Sequence, residues 1–333
     1  MATKWLVTTL NDRSLHLPGR PAGRRSCTAP IEQLEGVSVD TTGTTVGLHP
    51  SSAWDRERRA AANAGNPTVE FGGRVPYDVY VHASTLHSLQ EPLSDDPGEM
   101  SFLMVSQIME LYFGLTCFEL REARRLIRAD EVWPSLAPLQ RAALHLEGLN
   151  AAWRGLRWMT PADFNRFRDQ LGEGSGFQSA MYRHLEFLLG LKSAAVIRPF
   201  RHQPEVHAEL DRALRGPSVW DEVIALLARQ GHDISPALLA RDRATEHEVH
   251  PDVEAAWVRI YRDGGPGDPM RTLGEALTAV SERFGDWRFE HLKAVQRTMG
   301  AKVGSGGSAG LAYLQRSMAR IIFPELWSAR TVM

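Results

Sequence analysis

The sequence predicts an all-α protein, a helical bundle enclosing a pocket, with a small helical insertion. Three observations carry that prediction. Apolar residues recur at three- and four-residue steps over several long stretches, the spacing of one helix face. No strand-type alternation of useful length occurs, and there is no internal repeat. Breaks containing proline or glycine, such as Pro92 and Pro97, Gly216-Pro217 and Gly264-Gly265-Pro266, separate the periodic stretches.

Residues 1–70 are rich in Pro, Gly, Arg, Thr and Ser with little periodicity, and read as a polar, mobile or loosely packed arm before a helical domain over 71–333. The first helix is expected over 75–89, with Tyr77, Tyr80, Ser84 and His87 on one side; Pro92 and Pro97 separate it from the next. A long helix follows over 99–130. Phe102, Ser106, Met109, Phe113, Thr116, Leu120, Ala123 and Ile127 share a stripe, and Ile108, Leu111, Tyr112, Leu115 and Phe118 widen it. A helix apolar nearly all round belongs in the middle of a bundle. Ser106 then points inward, and its ordinary role is a hydroxyl bonded back to a preceding carbonyl.

A third helix is expected over 139–158, with Leu146, Leu149, Trp153 and Leu156 buried. Thr160-Pro161-Ala162-Asp163 gives a capped helix start with Pro at the first position. After the glycine-containing loop of residues 171–179, a helix resumes through Tyr182, Leu185, Leu188 and Leu189. Over 199–269 the pattern breaks into short helices at Gly216-Pro217, Gly231, Pro236 and Gly264-Gly265-Pro266, the small insertion. Within it, Glu246-His247-Glu248-Val249-His250 places two histidines within reach of one metal. The stretch is strongly polar and offers no third ligand, so it reads as a solvated loop or helix end without metal.

The last periodic stretch is the most informative. Leu277, Val280, Phe284, Trp287, His291, Ala294 and Thr298 share one face, and Gly304-Ser305-Gly306-Gly307-Ser308-Ala309-Gly310 follows as a turn. A second helical run spans 311–323, ended by Pro324. By spacing alone His291 is either a core imidazole or an axial ligand to a haem iron, which an apolar pocket favours. The glycine turn is either a connector or a place where backbone NH groups meet a small anionic ligand, and it lacks the lysine of a phosphate-binding loop.

Composition excludes several classes. The 333 residues carry a formal net charge of −2 and 43% apolar residues, with no basic block interleaved by aromatics, which argues against nucleic acid. Cys27 and Cys117 are too few for a disulfide framework or a Cys-rich zinc site. No apolar run reaches membrane-span length, and Arg24-Arg25 is followed by Ile31-Glu32-Gln33-Leu34-Glu35, where an export signal needs apolar residues. A soluble, cytoplasmic protein is expected.

Trp287-Arg288-Phe289-Glu290-His291, Gln296-Arg297, Gly300, Lys302, the Gly304–Ser308 turn and the closing Phe323-Pro324-Glu325-Leu326-Trp327 together resemble the C-terminal signature of the tryptophan 2,3-dioxygenase superfamily. Further blocks match in order. Glu99-Met100, Phe102, Gln107 and Glu110-Leu111 are similar to the family's distal helix. Phe167-Arg168-Asp169, Leu171-Gly172 and Ser175-Gly176-Phe177-Gln178-Ser179 are similar to its substrate loop, continued by Arg183, Glu186 and Leu189-Gly190.

This resemblance implies a haem-dependent oxygenase, with haem b as cofactor, in which His291 is the proximal iron ligand and Trp153, Ser175 and Gly176 border the haem. It implies that Arg168 clamps the carboxylate of an indole amino acid, a role that suits a planar guanidinium fork. Phe102 walls the indole, and Ser305, where the family usually has threonine, contacts the ammonium and carboxylate. Tyr77 and Tyr80 match tyrosines that reach into a neighbouring subunit's site, which implies a homo-oligomer, a tetramer. Dioxygen or peroxide is the second substrate; membranes and nucleic acids are not partners.

Three departures stand out. Ser106 occupies the usual place of a distal histidine, and a hydroxyl cannot act as an imidazole acid or base near neutral pH. Phe164 replaces a tyrosine that helps hold the carboxylate, and Gly174 replaces a serine, widening the pocket near the substrate side chain. The pattern resembles the 2-oxindole-forming branch of the superfamily known from maremycin biosynthesis. It implies monooxygenation of tryptophan or β-methyltryptophan, with Ser106 and His291 catalytic and with Phe102, Arg168, Ser305, Tyr77, Tyr80 and Phe164 binding substrate. The alternatives are a ring-cleaving dioxygenase giving N-formylkynurenine and, from another class, a haem-binding sensor without turnover.

Overall fold

The computed structural model describes residues 50–73, 75–304 and 306–333, and the regular elements among them are all helical. The readings of residues 1–49, Cys27 and Arg24-Arg25 included, and that of Ser305 fall outside the described residues. The chain divides into two units between Ala83 and Ser84.

The first unit holds α1 (Ala53–Ala62) and α2 (Pro76–Val81), neither of which buries a residue. Composition gave no sign of α1, yet Ser52 and Asp55 form a capping box. Ser52 Oγ accepts from the Asp55 N–H at 3.1 Å, and the Asp55 carboxylate accepts from the Ser52 N–H at 3.0 Å. The helix expected over 75–89 is interrupted at His82, whose φ of 54° is left-handed. A short α3 (Ala83–Leu86) follows.

The second unit is built on α4 (Pro97–Arg128), capped by Asp96, whose carboxylate accepts from the Gly98 N–H at 2.8 Å. Glu99 is buried in the first turn. Burial pushes its carboxyl pKa up, but bonds from the Leu93 and Ser94 N–H groups, both 2.7 Å, and from the Ser94 hydroxyl outweigh it and leave the pKa lowered. One face of α4, with Phe113, Cys117, Leu120 and Ile127, is buried against α5 (Val132–Ala152), α7 (Ala180–Leu188) and α9 (Val219–Arg229).

The other face overturns the expectation of an enclosed helix. Leu111 is 62% exposed and Phe118 59%, and Ile108 and Leu115 are also exposed. Among the described residues of the second unit, α5, α7 and α9 pack on the opposite flank and leave this apolar stripe exposed. By length and composition α4 is also the one described helix that could cross a membrane, which the sequence reading did not find. It carries Glu119, which is buried and takes a bidentate pair from Arg141 at 2.8 Å, as a core helix of a globular protein can.

Helix α5 starts earlier than residue 139 because its two prolines do not stop it. Pro134 lies in the first turn, where an N–H has no helical partner, and Pro138 is buried on the core face. A 3-10 turn (Trp153–Leu156) continues it. Next come α6 (Pro161–Asn165), opened by the expected Thr160–Asp163 capping box, and 3-10 turns at Arg168–Leu171 and Gly176–Gln178.

The broken region after α7 contains α8 (Pro204–Arg215), α9, α10 (Pro236–Leu239) and α11 (Pro251–Asp263), in keeping with the short helices expected. Its polar histidine cluster is a loop exposed at Glu246, Glu248 and Val249, but one of its histidines turns inward. His247 is buried, and its Nε2 lies 2.5 Å from Glu325 Oε1; Glu325 also accepts from Trp220 Nε1 at 3.1 Å and the His250 N–H at 2.9 Å. The partner is 78 residues away, which local polarity could not reveal. Among the described residues no cluster with metal-ligand character occurs.

The 31-residue α12 (Pro269–Met299) packs on α5 and on α13 (Leu311–Met318). The helical run expected to reach residue 323 stops at Met318, and Pro324 opens α14 (Pro324–Val332) instead. Phe323, with φ 53°, makes the corner between them.

Candidate active site

His291 lies on α12 among aromatic rings. The Trp153 indole, at the end of α5, stacks parallel to the imidazole with centroids 5.0 Å apart and planes at 10°. Trp287, one helical turn before His291, lies 5.5 Å away and also touches Phe113 and Tyr182. This surrounding desolvates the imidazole and pushes its pKa down to about 4. The ring is therefore neutral at physiological pH, with a lone pair free for a metal. Trp153 Nε1 and Trp287 Nε1 are buried without a hydrogen-bond acceptor. An indole N–H can only donate, and leaving it unpaired is costly, so a ligand bearing acceptor atoms suits this place. A neutral imidazole among flat aromatic walls, with orphaned donors at hand, fits a haem.

Trp153 also joins His291 to a second cluster. Phe102 on α4, Phe164 on α6 and Phe167 form a triangle of rings with centroid separations of 5.4–5.8 Å. Trp153 and Met299 of α12 pack against it. Phe164 is 7% exposed, so the residue standing for a tyrosine is an apolar wall. Ser106, one turn along α4 from Phe102, donates its hydroxyl to the Phe102 carbonyl at 2.8 Å, the ordinary bond expected for it.

Arg168 reaches the glycine turn, and its Nη2 donates to the Val303 carbonyl at 2.6 Å. Lys302 Nζ and Asn165 Oδ1, 3.4 Å apart, make a second contact between the same segments. Gly306 approaches the Ser175 loop so closely that a Cβ there would lie 3.0 Å from Ser175 Cβ and 3.2 Å from its Oγ. Arg168, Ser175 and the described part of the glycine turn are thus gathered in one place. Ser175 caps its 3-10 turn, its Oγ accepting from the Phe177 N–H at 3.3 Å, and Gly176 opens that turn. Gly174 has a local reason to be glycine, since a Cβ would sit 2.9 Å from the Leu171 carbonyl oxygen. That constraint is one of backbone and does not need the wider pocket expected from sequence.

Tyr77 and Tyr80 lie on α2 in the first unit, 68% and 74% exposed. Ser305 is outside the described residues. Sequence reasoning missed what the turn contributes, because the Val303 carbonyl is a backbone atom and any residue type supplies one. It also passed over the roles of Arg183, Glu186 and Arg288, all buried, though Arg183 and Glu186 sit three apart on a helix, at ion-pair spacing.

Comparison with known proteins adds a further finding. The sequence profile of the family described as tryptophan 2,3-dioxygenase matches residues 60–263 and 255–333. A protein named tryptophan 2,3-dioxygenase from Burkholderia cenocepacia is 38% identical over 277 residues, covering 83% of this chain and 89% of its own length. One so named from Bradyrhizobium sp. is 40% identical over 263 residues, covering 79% and 94%. Another from Pseudomonas fluorescens is 38% identical over 266 residues, covering 80% and 94%.

Proposed function

This chain belongs to the tryptophan 2,3-dioxygenase family of haem-dependent oxidoreductases, and from that premise we propose that it inserts both atoms of dioxygen across the indole C2–C3 bond of tryptophan, opening the ring to N-formylkynurenine. The observation that carries this reading is His291, a neutral imidazole stacked on Trp153, which packs in turn on the Phe164 and Phe167 cluster next to Arg168. A haem, haem b in this reading, supplies the iron at which dioxygen is activated. His291 would hold that iron, and Trp153, Ser175 and Gly176 would border the haem.

The remaining residues act on the substrate. Arg168 spends one N–H on Val303 and has others for a carboxylate, so one guanidinium fastens the amino acid and the turn above it. Phe102 and Phe164 wall the indole and keep water from it. Ser305 contacts the ammonium and carboxylate. Tyr77 and Tyr80 serve the site of a neighbouring subunit in a homotetramer, a reading supported by their exposure and by the stripe of Ile108, Leu111, Leu115 and Phe118 on α4, exposed among the described residues. The haem-binding domain is taken as residues 71–333, with 199–269 as its insertion and 1–70 as an arm.

A second reading has one specific support. The Ser106 hydroxyl is engaged by its own helix, and Phe164 carries no hydroxyl, so neither offers an acid or base to the indole. A substrate could then leave with one oxygen as a 2-oxindole, from tryptophan or its β-methyl derivative, with peroxide as oxidant and water as the other product.

The test is product mass from haem-loaded protein given tryptophan or β-methyltryptophan, reduced under labelled dioxygen in one arm and supplied with peroxide in another. Ring-opened product with two labelled oxygens is expected. An intact ring with a single added oxygen overturns ring cleavage in favour of the oxindole.

A further inference from the structure

Glu186, on α7, is 4% exposed and stands between two buried arginines. Arg183, one turn earlier, directs Nη1 at Glu186 Oε2; on the other side, Arg288 Nη2 of α12 is 3.4 Å from Oε1. Each arginine also holds backbone from a different border of the site. Arg183 donates to the Phe177 carbonyl, with Nη2 at 2.9 Å and Nε at 3.3 Å, and its guanidinium lies over the Phe177 ring. Arg288, three residues before His291, donates Nη1 to the Ser317 and Arg320 carbonyls at 2.9 and 2.8 Å, where α13 ends. The Phe177 ring meets Tyr313 of α13 edge-on at 6.1 Å, which closes the circuit.

We propose that Glu186 is a positioning residue: its carboxylate is the shared counter-charge through which the Ser175–Gln178 loop and the segment after the glycine turn are both fastened to the helix that bears His291. The proposal rests on the functional reading for what that loop binds, but its mechanical content does not. Two guanidiniums buried at this depth repel one another unless an anion lies between them. With the anion gone, each is drawn toward water and lets go of the carbonyl it holds. Phe177 adjoins Gly176 and is two residues from Ser175, so its release loosens the wall facing substrate. Arg288 lets go of the end of α13, and with it the chain that returns from the glycine turn.

The experiment compares the full-length chain with Glu186→Gln, which keeps the shape and removes the charge, by amide hydrogen exchange and by tryptophan titration of the haem-loaded protein. Protection over 175–179 and 317–321 should fall about tenfold or more, while α9 and α11 exchange as before. Tryptophan affinity should fall alongside, with the haem spectrum unchanged because His291 is not displaced. Arg183→Met serves if Glu186→Gln does not fold, and should lose protection over 175–179 alone. A merely structural role for Glu186 predicts a uniform rise in exchange, and that result, or unaltered protection in both segments, overturns the proposal. Failure of the unaltered protein to bind tryptophan sinks the functional reading instead and leaves the exchange result to stand by itself.

Discussion

Replacing Arg168 with methionine separates two jobs of one guanidinium. The first is its 2.6 Å bond to the Val303 carbonyl, which steadies the glycine turn. A hydrogen bond from a charged donor contributes about 1.5–3 kcal/mol, and the low end applies because the side chain is only half-buried. The second is the pair with the substrate carboxylate, worth about 2–5 kcal/mol when desolvated, again at the low end here. A loss of about 2 kcal/mol is roughly 30-fold in affinity. Titrating haem-loaded protein with tryptophan and with tryptamine, which lacks the carboxylate, isolates the second job. Tryptophan affinity should fall roughly 30-fold and tryptamine affinity by a few-fold at most, with Arg168→Lys in between because an ammonium keeps the charge but not the fork. Equal losses for both ligands would refute the clamp and leave Arg168 with the turn alone.

Three further outcomes are expected. Burial holds the His291 pKa down at about 4, so a proton competes for the imidazole only near that pH; haem uptake, followed by Soret absorbance, should be level from about pH 8 to about pH 5 and fail near pH 4. Since the folded value lies below the unfolded one near 6.5, the unfolded chain takes up the proton first. Stability conferred by His291, and by His184 depressed to about 4 by burial and Arg121, is therefore intact above pH 6.5 and is lost as pH falls toward 4, which denaturant melts across that window measure. Glu325→Ala strips the acceptor from Trp220, His247 and the His250 N–H at a fully buried position; unfolding should show a loss of about 3–5 kcal/mol, and a loss under about 1 kcal/mol would deny the carboxylate its role. Ser106→Ala should change stability by no more than about 0.5 kcal/mol and leave product mass unaltered, because that hydroxyl is already bonded to Phe102; a changed product would show that it acts on the indole.

Periodicity made the long helices legible. The stripe from Leu277 to Thr298 marks α12, and Thr160-Pro161-Ala162-Asp163 marks the start of α6, because both signals are local. What was hidden depends on partners remote in sequence or absent from the chain. A helix start at residue 139 leaves out the turns that hold Pro134 and Pro138, through which a packed core face carries α5. Phe323 reads as the end of a helix, although its left-handed backbone makes a corner from which Pro324 starts another. His247 reads as solvated until Glu325 meets it. The apolar circumference of α4 suggests a helix enclosed in the bundle, but among the described residues one face, with Leu111 and Phe118, is exposed. At the site, His291 and Phe102 were legible as inward-facing residues, while the partner of Arg168 was not, because a carbonyl leaves no mark in the sequence.

Whether His291 holds the haem iron is decided by haem titration of the unaltered protein and His291→Ala, with and without added imidazole. The unaltered protein should take up one haem with the spectrum of a histidine-ligated iron. His291→Ala should bind haem weakly or with an altered Soret band, and imidazole should restore the original spectrum by occupying the space the side chain leaves. Normal affinity and a histidine-ligated spectrum in His291→Ala without imidazole would contradict the claim and send the search for the ligand elsewhere in the chain.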